Sequence, residues 1–232
     1  MIKTIKHNDL EVKIDTLGAY IIEFNKDNVQ IFYPKKEIQV DNTSKMRGGN
    51  HVCLPHFGVS EKIKQSNHGF ARSLEWEILE ENEDKLILTL QAPVKDYDHM
   101  KATLEYSLED NIFISKLTVE NLGEKSFSIS PAFHPYFSYK DVNSLEVNGK
   151  KLEITDQVRE SLFQGQVEEI EIDGKKILLE NKNLNKFVIW TDELDKYVCI
   201  EPTYNYDALN RDRDLIQIEK GESKEFEFII SL

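Results

Sequence analysis

Apolar residues recur at every second position along much of this chain, and that period limits its fold more than any other property. Leu10, Val12 and Ile14 alternate with Glu11, Lys13 and Asp15; Leu86, Leu88 and Leu90 repeat the arrangement, as do Leu104, Tyr106 and Leu108, then Phe226, Phe228 and Ile230. Successive side chains of a strand point to opposite faces, so this spelling makes strands with one buried face. Further strands are predicted over 18–25, 29–33, 74–80, 111–121, 125–133, 144–154, 167–172, 175–180, 186–191, 197–201 and 214–219. Turn residues separate them, among them the hairpin dipeptides Asn148-Gly149 and Asp173-Gly174. Almost nothing reads as helix. Many short antiparallel strands must cover their apolar faces with one another, so the predicted class is all-β, a large antiparallel β-sandwich or a barrel. No repeat, low-complexity tract or linker interrupts the 232 residues, and one domain over 1–232 is expected.

Charge and cysteine usage narrow the partners. With 42 acidic against 29 basic residues the formal net charge is -13, which opposes nucleic acid phosphates and anionic membrane surfaces. Neither is expected as a partner. Cys53 and Cys199 are far apart and set among apolar residues, which suits buried reduced thiols. No basic segment followed by an apolar one opens the chain, and no stretch approaches membrane-spanning length, so a cytoplasmic location is expected. CxxC pairs and P-loop glycine spacing are missing, leaving no call for zinc-ribbon or NTP chemistry.

Two titratable groups interrupt apolar stretches. His134 sits in Ser-Pro-Ala-Phe-His-Pro-Tyr-Phe, and Glu201 ends Tyr-Val-Cys-Ile-Glu before Pro202, which is expected to stop the strand. An apolar surround destabilises the charged form of each, so they are either satisfied structural groups or an acid and a base held for proton transfer. Residues 41–73 break the strand rhythm and carry His51, His56, His68, Arg47 and Arg72 beside glycines. A loop of that length is expected to line the mouth of a cleft. The arginine forks suit oxygens of a hydroxylated or anionic ligand, or else lie free in solvent. The three loop histidines with Glu61 admit a metal reading, although their spacing matches no familiar ligand pattern. Trp76, Trp190, Phe57, Phe70, Tyr136 and Tyr204 supply either a sugar-stacking platform or core.

In order along the chain, Arg47-Gly48-Gly49, Leu54-Pro55-His56-Phe57-Gly58, His68-Gly69-Phe70-Ala71-Arg72 with Trp76, His134-Pro135-Tyr136-Phe137 and Cys199-Ile200-Glu201-Pro202 resemble elements of the aldose 1-epimerase or galactose mutarotase-like family. The glucose-6-phosphate 1-epimerase branch is the nearest in its first elements, whereas the run from Glu201 to Asn210 looks closer to the free-sugar branch. The resemblance implies a galactose mutarotase-like β-sandwich with an open cleft on one sheet, working without metal or other cofactor. It also implies roles: Glu201 takes the proton of the anomeric hydroxyl, and His134 protonates the ring oxygen from the other side of the pyranose. His68 would hydrogen-bond the sugar, Arg47 and Arg72 would hold a phosphate, and Asp192 or Asp156 would be the sugar-binding aspartate. The expected partner is a small aldohexose or its 6-phosphate. The rival readings are a non-catalytic carbohydrate-binding sandwich and a metal-dependent enzyme built on the loop histidines.

Overall fold

A computed structural model of the protein describes residues 1–59, 66–153, 156–194, 196–206 and 214–232. Glu61 and residues 207–210, which entered the readings above, lie outside these, as does the side chain of Asp156. The alternating segments form two large antiparallel sheets, so the chain is all-β as its period requires. In a nine-stranded sheet, Glu77–Glu81, Lys85–Gln91, Met100–Glu109 and Ile112–Asn121 follow one another as hairpins, and Ser223–Ser231 and Lys175–Lys182 continue it. Along Ile112–Asn121 every second residue is buried. Its register sets Leu117 against Leu104 on one side and Phe226 on the other, so one row of apolar side chains crosses three strands.

The ten-stranded sheet runs Ile2–His7, Leu10–Asp15, Tyr20–Lys26, Val29–Phe32, Tyr136–Ser138, Tyr197–Thr203, Ala132–Phe133 and Val52–Cys53. Lys186–Trp190 lies along the other edge of Tyr197–Thr203 and carries Leu162–Gln164. The two sheets meet across one hydrophobic cluster that takes Phe113, Leu117 and Phe228 from the first, and Phe32, Phe133, Phe137, Val198 and Ile200 from the second. The Phe133 and Phe228 rings stack across it, 6.1 Å between centroids, and Tyr106 donates to the Ala19 carbonyl at 2.8 Å. Each such side chain contributes roughly 1.5–3 kcal/mol by leaving water.

Period two then decides what the far face of this sheet carries. Val198 and Ile200 point into the core, so Tyr197, Cys199 and Glu201 point away from it; Phe133 and Phe137 point inward, so Ala132, His134 and Tyr136 point away. All seven residues of Tyr197–Thr203 are nevertheless buried, because Ile38 covers the tyrosine end of that face and Phe57 covers the end around Ala132.

Two expectations fail here. Pro202 does not stop its strand, which continues to Thr203. On the His134 side the ladder is interrupted between the Tyr136–Cys199 and Ala132–Thr203 pairs, and a residue without an N–H is tolerated beside such a gap. Residues 41–73 are not all irregular either: Lys36–Val40 and Thr43–Arg47 form a hairpin around Asp41 and Asn42, both at positive φ. That turn lacks glycine and its strands are largely exposed on both faces, so neither the turn nor the alternation signal was present. No helix among the described residues is long and apolar enough to cross a membrane.

Candidate active site

The register that sets Ala132 against Thr203 and Tyr136 against Cys199 places His134 opposite Glu201. His134 Nε2 lies 3.3 Å from Glu201 Oε2, and the residues are only 4% and 1% exposed. Neither Glu201 Oε2 nor His134 Nδ1 finds a hydrogen-bond partner among the described residues. A buried polar atom left unpaired costs about 1–3 kcal/mol, so this pair is held in place at the expense of stability. The expected placement on opposite sides of a pyranose is not what is found. The groups are neighbours, and that suits the chemistry, because the anomeric and ring oxygens are bonded to the same carbon.

Local structure holds the imidazole still. Its ring is stacked between His51 and Tyr136, each 4.9 Å away, and Tyr20 extends the column beyond His51 at the same spacing. The His134 backbone N–H donates to Asn50 Oδ1 at 3.0 Å. The segment bearing Asn50 and His51 approaches the sheet through Gly49, whose φ is +72° and where a Cβ would lie 1.9 Å from the Ile21 carbonyl oxygen. Only glycine fits there.

Burial also sets where the proton rests. Desolvation, reinforced by the Arg72 charge, holds the His134 imidazole down to about 3, while desolvation pushes the Glu201 carboxyl well above the usual carboxylate range. Both shifts favour the uncharged forms, a neutral imidazole and a protonated carboxyl.

The pair opens into a cleft of about 350 Å³, also lined by Arg47, His68, Arg72 and Trp190, a volume suited to a small ligand. His68 has φ +64° and accepts the Gly58 N–H at Nδ1, 3.2 Å away, which leaves Nε2 to carry the ring proton as a donor. Arg72 Nη1 lies 3.4 Å from His51 Nε2. Arg47 is gripped by Asp192, with Nη2 to Oδ2 at 2.7 Å and Nε to Oδ1 at 3.1 Å, and its guanidinium lies 5.4 Å from the Trp190 ring centre.

Asp192 itself does not line the cleft. Arg47 and the Tyr197 hydroxyl occupy its oxygens, with Lys45 3.5 Å away, so it positions Arg47 rather than facing a ligand. Among the aromatics, Trp190, Phe57 and Tyr136 line the cleft, whereas Trp76 and Phe70 are core and Tyr204 packs against the core. Among the described residues, which leave out Glu61, the loop histidines form no ligand cluster: His51 is stacked in the column and His56 is buried away from the cleft lining. Sequence reasoning missed Asn67 and Ser161 in the wall; Ser161 comes from a segment distant in sequence, at φ +98°, and carried no signal. A larger cavity of about 670 Å³ lies elsewhere, lined by Asn183, Tyr204 and Lys224 among others, but it holds none of the buried titratable groups.

The sequence model of the aldose 1-epimerase family matches residues 1–173. The chain belongs to the aldose 1-epimerase family. That match contains Arg47, His68, Arg72 and His134 and stops short of Asp192, which grips Arg47, and of Glu201, which strand pairing brings into the cleft. Curated relatives include a protein of Salmonella typhimurium provisionally named glucose-6-phosphate 1-epimerase, 23% identical over 163 residues, covering 68% of this chain and 55% of its own length. One of the same provisional name from Cenchrus ciliaris is 24% identical over 226 residues, covering 80% and 65%. The alignments thus span less than two thirds of either relative. A solved structure of a galactose mutarotase related enzyme from Lactobacillus acidophilus superposes with a TM-score of 0.82 at 15% identity, covering 100% of this chain and 97% of the other, which shows a shared aldose epimerase-type fold.

Proposed function

We propose that this member of the family catalyses anomer exchange of an aldohexose, with His134 and Glu201 as the proton-transfer pair and a hexose 6-phosphate as the favoured substrate. The 3.3 Å approach of two buried titratable groups at the floor of a sugar-sized cleft carries the reading. Starting from the neutral pair, the imidazole accepts the anomeric hydroxyl proton while the carboxyl donates to the ring oxygen. The C1–O5 bond breaks, and the open-chain aldehyde rotates about C1–C2. Reclosure returns both protons: the imidazolium gives its proton to the aldehyde oxygen and the carboxylate takes the C5 hydroxyl proton. Each turnover passes through both proton arrangements, so either group serves as acid and as base. Paired transfer of this kind contributes about 10²–10⁴-fold, enough to matter for a reaction that already proceeds spontaneously.

Arg72 on the cleft wall favours a phosphorylated sugar, since a guanidinium group binds phosphate bidentately, and Arg47 stands beside it with its own fork held by Asp192. His68 Nε2–H is placed to donate to a sugar hydroxyl, and Trp190 and Phe57 offer apolar surface to the ring. The buried reduced thiols fit a reducing cytoplasm. The test is anomer exchange of glucose, galactose and glucose 6-phosphate, followed by NMR or polarimetry with wild type, His134→Ala and Glu201→Gln. Acceleration by wild type that is lost in both variants is expected; no acceleration of any of the three sugars sinks the reading.

A further inference from the structure

We propose that His134, Cys199 and Glu201 form a site for a thiophilic divalent cation of the Zn²⁺ type, and that such an ion blocks the proton pair. Cys199 and Glu201 are two residues apart on Tyr197–Thr203 and share its outward face, and His134 stands across from Glu201 on the neighbouring strand. One ligand atom from each, an imidazole nitrogen, a thiol sulfur and a carboxylate oxygen, lie within 4.8 Å of one another. With nitrogen and oxygen each ~2.0–2.1 Å from a tetrahedral Zn²⁺, the edge between them is ~3.3–3.4 Å; His134 Nε2 and Glu201 Oε2 are 3.3 Å apart. Sulfur at its usual ~2.3 Å would stand ~3.6 Å from either, so a shift of about an ångström in the thiol completes the set.

A second observation points to a ligand here. Glu201 Oε2 is buried, faces His134 and has no hydrogen-bond partner among the described residues, whereas a purely structural carboxylate at this depth would be satisfied. Cys199 is likewise a free, fully buried thiol. Sulfur, imidazole and carboxylate together select Zn²⁺ over Mg²⁺ or Ca²⁺, which prefer oxygen alone. Three protein ligands leave the fourth position to water or a sugar hydroxyl on the cleft side. Coordination releases one proton from the thiol and one from the carboxyl to solvent, so the two ligand anions balance the two charges of the ion. With His134 and Glu201 both engaged, ring opening has neither acid nor base. That inhibition rests on the epimerase reading, but the binding does not.

The test uses the full chain stripped with a chelator and dialysed, with Co²⁺ as the spectroscopic probe and Zn²⁺ as competitor. A thiolate-to-cobalt charge-transfer band saturating at one ion per chain is expected, displaced by Zn²⁺. Cys199→Ser removes the band and weakens Zn²⁺ binding at least tenfold. Glu201→Gln weakens binding tenfold while keeping the band, and Cys53→Ser changes neither. A band that never saturates, or that survives Cys199→Ser or vanishes with Cys53→Ser, overturns the site. In parallel, anomer exchange falls as Zn²⁺ occupancy rises and returns on chelation; full activity at full occupancy overturns the blockade. A chain that binds Zn²⁺ stoichiometrically yet never accelerates anomer exchange when stripped overturns the functional reading and leaves the site standing.

Discussion

The two sheets face each other across one core but are built by different rules. In the nine-stranded sheet, Met100–Glu109 and Ile112–Asn121 are ten-residue strands joined by a tight turn, and nearly every inward position is apolar. In the ten-stranded sheet the strands on the His134 side of the site are two or three residues long, Ala132–Phe133, Tyr136–Ser138 and Val52–Cys53, and the ladder lapses at His134. The first sheet is thus regular enough to supply rigidity, with Ser115 Oγ its unpaired buried side-chain atom among the described residues, whereas the second carries an unpaired carboxyl oxygen and imidazole nitrogen, both titratable. Stability and chemistry are segregated by sheet, so a substitution on one should leave the other property nearly untouched.

The sharpest way to break that division is Glu201→Gln. It is expected to lower the anomer-exchange rate constant by ~10²–10⁴-fold, while the melting temperature holds or rises, since an amide replaces a group that pays to be buried. A variant that melts markedly earlier would show that the pair is structural. The converse substitution, Leu117→Ala in the middle of the regular sheet, should cost ~2–5 kcal/mol in urea unfolding and leave the rate per folded molecule unchanged. A lower rate in fully folded Leu117→Ala would mean that the site depends on packing across the core.

Within the site sheet, Arg72→Ala should raise KM for glucose 6-phosphate by ~10- to 100-fold, the equivalent of a lost hydrogen bond to a charged group at ~1.5–3 kcal/mol. KM for glucose should stay within about twofold on the same account; equal losses on both sugars would place Arg72 against the hexose ring instead. The smallest expected effect is that of pH. Because burial holds His134 down to about 3 and Glu201 well up, the pair keeps one proton from roughly pH 4 upward until the carboxyl ionises, and the rate should be flat over that span. It falls on the acid side when the imidazole takes a second proton, and on the alkaline side when the carboxyl loses the only one. A rate profile with a steep limb near pH 6.5, the ordinary histidine value, would mean that His134 is solvated.

Legibility in the sequence follows the same division. The regular sheet could be read from Leu86 to Gln91, from Met100 to Asn121 and again at Phe226, Phe228 and Ile230, because one wet face and one dry face write themselves as alternation. The site sheet could be read only in pieces. His134 and Glu201 stood out as titratable groups in apolar runs, and the glycines around Arg47 and His68 marked a loop with a purpose. The hairpin Lys36–Val40 with Thr43–Arg47 was not visible, since neither strand has a consistently buried face. Asp192 was picked out as a sugar ligand, but the structure gives its carboxylate to Arg47 and Tyr197. Nothing local to residue 192 could announce a partner 145 positions away.

By itself the sequence determined that the chain is a two-sided stack of antiparallel strands, and it supplied an imidazole and a carboxyl whose surroundings make charge costly. Both are local properties, written in periods of two and in the identity of flanking residues. Tertiary structure alone decided that His134 lies opposite Glu201 with Cys199 beside them, because register is a relation between strands some 65 residues apart. It decided, too, that Ile38 and Phe57 would cover the outward face and that burial would press both titratable groups toward their uncharged forms. Desolvation depends on everything packed around a group, and no stretch of neighbouring residues encodes it.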